Sequence, residues 1–120
     1  MFSKSPKNTS QYHWTNHVKF KMQYYGLSAQ KILGVISRPA RKEEGIAEKT
    51  VAVMQPVSPK TINNKTVWKS EVWAMYQDKK KEERSKKKAI KIISAWRYPG
   101  VSPKRNPIPE DILSEIAGIM

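Results

Sequence analysis

The stretch AIKIISAWRYPGVSPKRNPI, Ala89 to Ile108, opens as a strand that is apolar on both faces, with Ile90, Ile92 and Trp96 alternating with Ile93 and Ala95. Two-sided apolar character predicts a central strand, covered on one face by helices and at least partly shielded on the other. The strand then runs into an Arg97-Tyr98-Pro99-Gly100 turn and a proline-punctuated exit that carries Lys104 and Arg105. With Lys91 on the strand and no carboxylate in the stretch, this end of the sheet is predicted to hold cations and a tyrosine in fixed geometry. Such a surface suits a polyanion.

Upstream, TVAVMQPV from Thr50 and KTVWKSEVWAMYQ from Lys65 share the same enrichment in β-branched and aromatic residues. Three strands in sequence order predict an antiparallel meander. Asn63-Asn64-Lys65 reads as its first turn, and the run KKKEERSKKK as a basic loop over residues 79–88 in the second connection. In the second strand Trp68, Val72 and Tyr76 share one face, while Lys69, Glu71, Trp73 and Met75 share the other. Ahead of the strands, Thr15 or Asn16 caps a helix through Tyr25, with Val18, Met22 and Tyr25 on one side and Gly26 as its stop. Ser28 caps a second helix to about Ser37, Leu27 packs on Ile32 as a hydrophobic staple, and Pro39 ends it. After the basic exit, Pro109 starts a helix whose Glu110 and Asp111 complement its dipole and whose Ile112, Ile116 and Ile119 form one row. That helix carries three acids and no base, and is expected to pack back on the sheet. The predicted fold class is α+β: two N-terminal helices on an antiparallel sheet of three or four strands, with a C-terminal helix. Residues 1–12, rich in Ser, Lys, Asn and Thr, are predicted to be a flexible basic arm, and 13–120 a single domain.

At 120 residues the chain suits one core that buries roughly two thirds of the unfolded surface. Lys and Arg number 23 against 10 Asp and Glu, a net charge of +13 with a pI near 10.0. That balance points to phosphates, and RNA or another nucleic acid is the expected partner. No apolar run approaches the ~20 residues that span a bilayer, and the first residues lack the apolar middle of a signal peptide. No membrane association is expected, and a cytoplasmic location is. Absence of cysteine excludes disulfides, thiolate zinc sites and a cysteine nucleophile. Walker, GxSxG, HExxH and dinucleotide motifs are absent from the sequence, which excludes the corresponding chemistries.

The run Lys79, Lys80, Lys81, Arg84, Lys86, Lys87 and Lys88 holds seven bases against two acids, a net of +5 in ten residues. These residues, with Lys21, Lys69, Trp73, Lys91, Lys104 and Arg105, are the expected nucleic-acid contacts. Trp73 is included because its strand face also carries Lys69 and Glu71. The other tryptophans, Trp14, Trp68 and Trp96, read either as core packing or, with Trp73, as a base-stacking platform for a single strand. His17, in the first turn of a helix, is either a capping or packing group or a general acid or base for phosphodiester chemistry. Glu71 is either the partner of a cross-strand cation, Lys91 or Arg97, or a catalytic base. His13 and His17 are four apart, but no carboxylate precedes Glu43 and a cap at Thr15 leaves His13 outside the helix, so neither a metal nor any other cofactor is predicted.

The pattern Tyr12-His13-x-Thr15-x-His17-x-x-x-Lys21-Met22-x-x-x-Gly26-Leu27-Ser28, followed by Ile32, Val35-Ile36 and Pro39, resembles a family of small domains that opens on His-Ala-x-x-Arg-Met, continues through Gly-Ile-Ser and ends its helix at Asn-Pro. That family is itself similar to the RelE-like and barnase-like toxin ribonucleases, which set two N-terminal helices against an antiparallel sheet. By this resemblance 13–120 is a RelE-like domain, His17 matches the family's histidine and Lys21 its arginine. Arg97 and Tyr98 fall near the sheet end where such toxins place phosphate-binding and catalytic groups. Val18 replaces the family's alanine, and Lys21 keeps the arginine's charge without its bidentate fork. The resemblance implies metal-independent endoribonuclease chemistry, with His17 or Glu71 moving the proton, Arg97 and Lys21 steadying the phosphorane and Tyr98 orienting a base. Two other readings stand beside it: a non-catalytic RNA- or DNA-binding module, ribosome-associated or otherwise, and a toxin-like domain held by an acidic, antitoxin-like protein.

Overall fold

The computed structural model describes residues 5–44, 46, 49–78 and 90–119. In chain order they form β1 (Tyr12–Trp14), α1 (Asn16–Tyr25), α2 (Ala29–Ser37), β2 (Arg41–Glu44), β3 (Thr50–Pro56), β4 (Lys60–Ile62), β5 (Lys65–Val67), β6 (Ser70–Asp78), β7 (Ile90–Pro99) and α3 (Glu110–Ile119). The α+β class, the paired N-terminal helices and the closing helix are those predicted. The sheet is larger than expected, with five strands in the order β1-β7-β6-β3-β2. β1 joins β7 in parallel, and the other pairings are antiparallel. β6, not β7, is therefore central.

Local signals explain most of the elements. Thr15 and Ser28 cap the two helices by accepting from the Val18 and Lys31 backbone N–H groups. Gly26, at φ 67° and ψ 42°, takes the left-handed turn that lets the Leu27 N–H close on the Met22 carbonyl at 2.8 Å. Asn63 and Asn64 both have positive φ, as the tight turn of a two-residue hairpin requires. That turn joins β4 to β5 in a separate small ribbon, so the predicted second strand splits at Trp68 and Lys69 and only its later part enters the main sheet. β2, with the sequence RKEE, has no apolar period to announce it. Charge on an outermost strand discourages pairing with another chain. In the predicted arm, the Asn8 Oδ1 accepts from the Trp14 N–H at 2.7 Å and the Thr9 hydroxyl from the Gln11 and Tyr12 N–H groups, and Tyr12 already belongs to β1.

Both faces of the sheet are covered. On one, Val18, Met22, Leu27, Ile32 and Val35 of the helix pair pack on Val51, Val53, Val72, Ala74, Ile92 and Ala95. On the other, Ile108, Ile112 and Ile116 pack on Ala52, Met54, Trp73, Met75 and Trp96. A register shift between Met75 and Tyr76 pairs Tyr76 with Ile92 and Met75 with Ser94. One extra residue on β7 reverses its phase. Ile92 thus shares a face with Ala95, while Trp96, expected beside Ile92, turns to the α3 side. Trp73 and Trp96 stack there, 4° from parallel with centroids 5.8 Å apart.

β1 covers only Ile90 to Ile92 of β7, and α1 runs on beside the remainder. Thr15 joins the three elements, because its hydroxyl lies 3.0 and 3.1 Å from the Ile92 and Ile93 carbonyls while accepting the Val18 N–H. Thr15→Val keeps the shape and loses all of these bonds. It is expected to cost about 1–2 kcal/mol in urea unfolding, with Thr15→Ser restoring most of the loss. Among the described residues no helix is long and apolar enough to cross a membrane.

Candidate nucleic-acid interface

His17 and Lys21 lie one turn apart on α1 and therefore share a face. Ile112 and Ile116 seat α3 on the sheet, and this turns Glu115 toward that face. The Glu115 Oε1 lies 3.4 Å from the His17 Nε2 and 3.0 Å from the Lys21 Nζ. Lys21 is buried, and its ammonium also stands 5.5 and 5.1 Å from the ring centres of Tyr24 and Tyr25. His17 opens onto a cleft of about 180 Å³ with Thr15, Lys91, Ile93 and Ile119. In the β1–β7 register exposed His13 stands opposite Lys91.

Burial, reinforced by the Lys21 charge, lowers the His17 pKa below its ordinary 6.5, while Glu115 opposes the shift. A neutral imidazole at neutral pH can accept a proton. At 3.4 Å the His17 Nε2 and the Glu115 carboxylate stand at the long limit of a hydrogen bond. A half-buried base beside a carboxylate, with Lys91 lining the same small cleft, can move a proton and hold a phosphate.

The four predicted catalytic residues do not converge. Arg97 is exposed at the far end of α1, where its Nε donates to the Tyr25 carbonyl at 2.8 Å. That carbonyl is eight residues from His17, about 12 Å along the helix. Tyr98, expected to be exposed, is half-buried against the α3-side core. Glu71 is corrected from base or cross-strand ion partner to an internal acceptor. It is fully buried, its Oε1 accepting from the Trp73 Nε1 at 2.8 Å and its Oε2 from the Trp68 Nε1 at 2.9 Å and the Ser102 N–H at 3.0 Å. Burial alone would raise its pKa, but these donors outweigh it and hold the carboxyl below the ordinary glutamate value of 4.5.

Two expected contacts are buried instead of exposed. Trp73 is fully buried, because the face it shares with Glu71 lies under α3 and the chain from Gly100 to Ile108. Lys21, bound to Glu115 and covered by tyrosines, is corrected from phosphate ligand to internal ion partner. Lys69, Lys104 and Arg105 are exposed and Lys91 is half-buried. The basic exit is folded back: Arg41, 5.7 Å over the Trp73 ring, donates to the Ser102 hydroxyl and the Lys104 carbonyl and pairs with Glu43. Lys79, Lys80, Lys81, Arg84, Lys86, Lys87 and Lys88 lie outside the described residues.

Glu115 has no signal of its role in the sequence, and Trp68 packs on the α3-side core only in part. The acidic helix was visible, but not which of its acids meets α1. Trp68 is the one tryptophan that is not buried, since Trp14, Trp73 and Trp96 are 4%, 0% and 1% exposed. The strand breaks at Trp68 and Lys69, between β5 and β6. No family model, curated protein or solved structure matches this chain.

Proposed function

We propose that the protein binds RNA through its cationic surface, in the cytoplasm. The observation that carries this reading is charge the fold has no means to neutralise: 23 bases face 10 acids. Thirteen cations have no carboxylate to meet even if every acid were paired, and Glu71 is already enclosed by three N–H donors. Position supports the reading as well. The chain leaves the sheet at Asp78 and returns at Ile90, beside His13, Lys91 and the His17 cleft, and the sequence joining those points carries the +5 run. The resemblance of residues 12–39 to small toxin-like domains also favours RNA. Anisotropy of a short labelled RNA should rise on titration, and replacement of the seven bases of 79–88 by glutamine should weaken binding. Unchanged affinity in that variant would move the interface elsewhere, and absence of binding would refute the reading.

The His17–Glu115 contact favours a second reading, metal-independent cleavage. A 2′-hydroxyl would give its proton to His17 while its oxygen attacks the adjacent phosphorus, and the 5′-oxygen would leave with a proton from water. RNA incubated in EDTA should then yield cyclic phosphate ends, and His17→Ala should slow their appearance about a hundredfold or more. Intact RNA with firm retention would leave a binding module alone.

A further inference from the structure

We propose that the cleft between the β4–β5 ribbon and the adjoining ends of β3 and β6 takes an unstacked base of a single-stranded polynucleotide, with the Trp68 indole as its stacking wall. This rests on the RNA reading above. The cleft, of about 510 Å³, is walled by Val57, Ile62, Val67 and Trp68 and rimmed by Lys60 and Lys69, with no acid lining it among the described residues. Apolar walls with cations at the rim match a base with its flanking phosphates. A peptide with acidic and apolar side chains is the rival occupant, and the planar indole favours the base, because stacking on an aromatic ring works for every nucleobase.

Three bonds hold the wall in place. The Trp68 Nε1 donates to the buried Glu71 carboxylate, the Val57 N–H to the Ser70 carbonyl at 2.9 Å, and the Gly100 N–H to the Lys69 carbonyl at 2.7 Å. Fixing the indole by its edge leaves little side-chain freedom to lose on binding. Opposite it, Ile62 and Val67 are 55% and 43% exposed on a ribbon outside the main sheet, where they contribute to neither core. Lys65, also exposed, adds a further cation to that ribbon. The site lies at the Pro99 end of β7, about 25 Å from Lys91 at eight residues of extended chain. Variants here leave the His17 cleft untouched.

The test compares a single-stranded RNA with an abasic strand of the same length and charge, read by anisotropy and by tryptophan emission. Because the other three indoles are buried, quenching reports on Trp68. Wild-type protein should prefer the base-bearing strand by about tenfold or more and be quenched by it. Trp68→Ala should abolish the preference and leave abasic binding unchanged. That variant also removes one donor from Glu71, so Ile62→Ser, on the outlying ribbon with no bond to Glu71, supplies an independent loss of preference in a folded protein. Equal binding of both strands by the wild type, or a preference kept in both variants, overturns the base site while leaving RNA binding intact. Binding of neither strand removes the RNA reading and this inference together. Quenching by a glutamate-rich peptide and not by RNA assigns the cleft to a protein partner and overturns the proposal.

Discussion

Glu71→Ala is expected to lower stability by about 3–5 kcal/mol, because it strips the acceptor from three N–H groups at once. The Trp73 Nε1 and Ser102 N–H are sealed from water, and an unpaired buried donor costs about 1–3 kcal/mol. Glu71→Gln should not rescue. Its amide NH₂ must face either the Trp73 Nε1 or the Trp68 and Ser102 donors, whichever way it turns. A catalytic carboxylate predicts the opposite, with Glu71→Gln folding normally and losing only activity. The pH dependence follows from the sign of the shift. The folded carboxyl titrates below its unfolded value, so its contribution is complete above about pH 4.5 and is lost as pH falls through the folded pKa. Urea unfolding followed by tryptophan emission should show wild-type stability dropping in that acid window and a flatter curve for Glu71→Gln. Parallel curves would remove Glu71 from the account of acid stability.

RNA affinity should fall on the order of 10³-fold between about 50 and about 200 mM salt if six or more phosphates are contacted. Each phosphate neutralised by Lys or Arg releases counterions, and the logarithmic slope counts those contacts. Neutralising a phosphate-contacting lysine should weaken binding across sequences and reduce the slope by about one. Lys91, Lys104 and Arg105 are the substitutions to compare, since Arg97 and Arg41 are held by internal carbonyls. A flat salt response would point to a neutral protein partner and against a polyanion. His17 adds a milder dependence. Its lowered pKa means the folded state resists protonation, so stability is complete above about pH 6.5 and declines as pH falls toward the folded value.

Helix limits, caps and the C-terminal helix were legible because each depends on chemistry within a few residues. Thr15, Gly26, Ser28 and Pro109 act on their own turns. The three long strands were legible from period two, whereas β1 is three residues long and β2 is wholly charged, leaving no apolar signature to read. Phase failed where a register shift intervened. The extra residue on β7 sent Trp96 to the α3 side, and the break at Trp68 and Lys69 carried Trp68 away from the face of Val72. Of the candidate cleft, His17 stands out in the sequence by its place in the first turn of α1, while its partner Glu115 stands almost a hundred positions later in the chain. Glu71 and Trp73 looked exposable from strand alternation alone, because nothing in β6 says that residues 100–116 fold over that face.

By itself, the order of residues determined the limits of the helices, the α+β class and an excess of cations that no internal pairing neutralises. Propensity, capping and net charge are short-range or additive quantities, and they survive without knowledge of the fold. Tertiary structure alone decided which cations stay in water, which carboxylates are consumed inside, and which indole stays partly exposed. Those outcomes are set by packing between distant segments, where one inserted strand residue exchanges inside for outside.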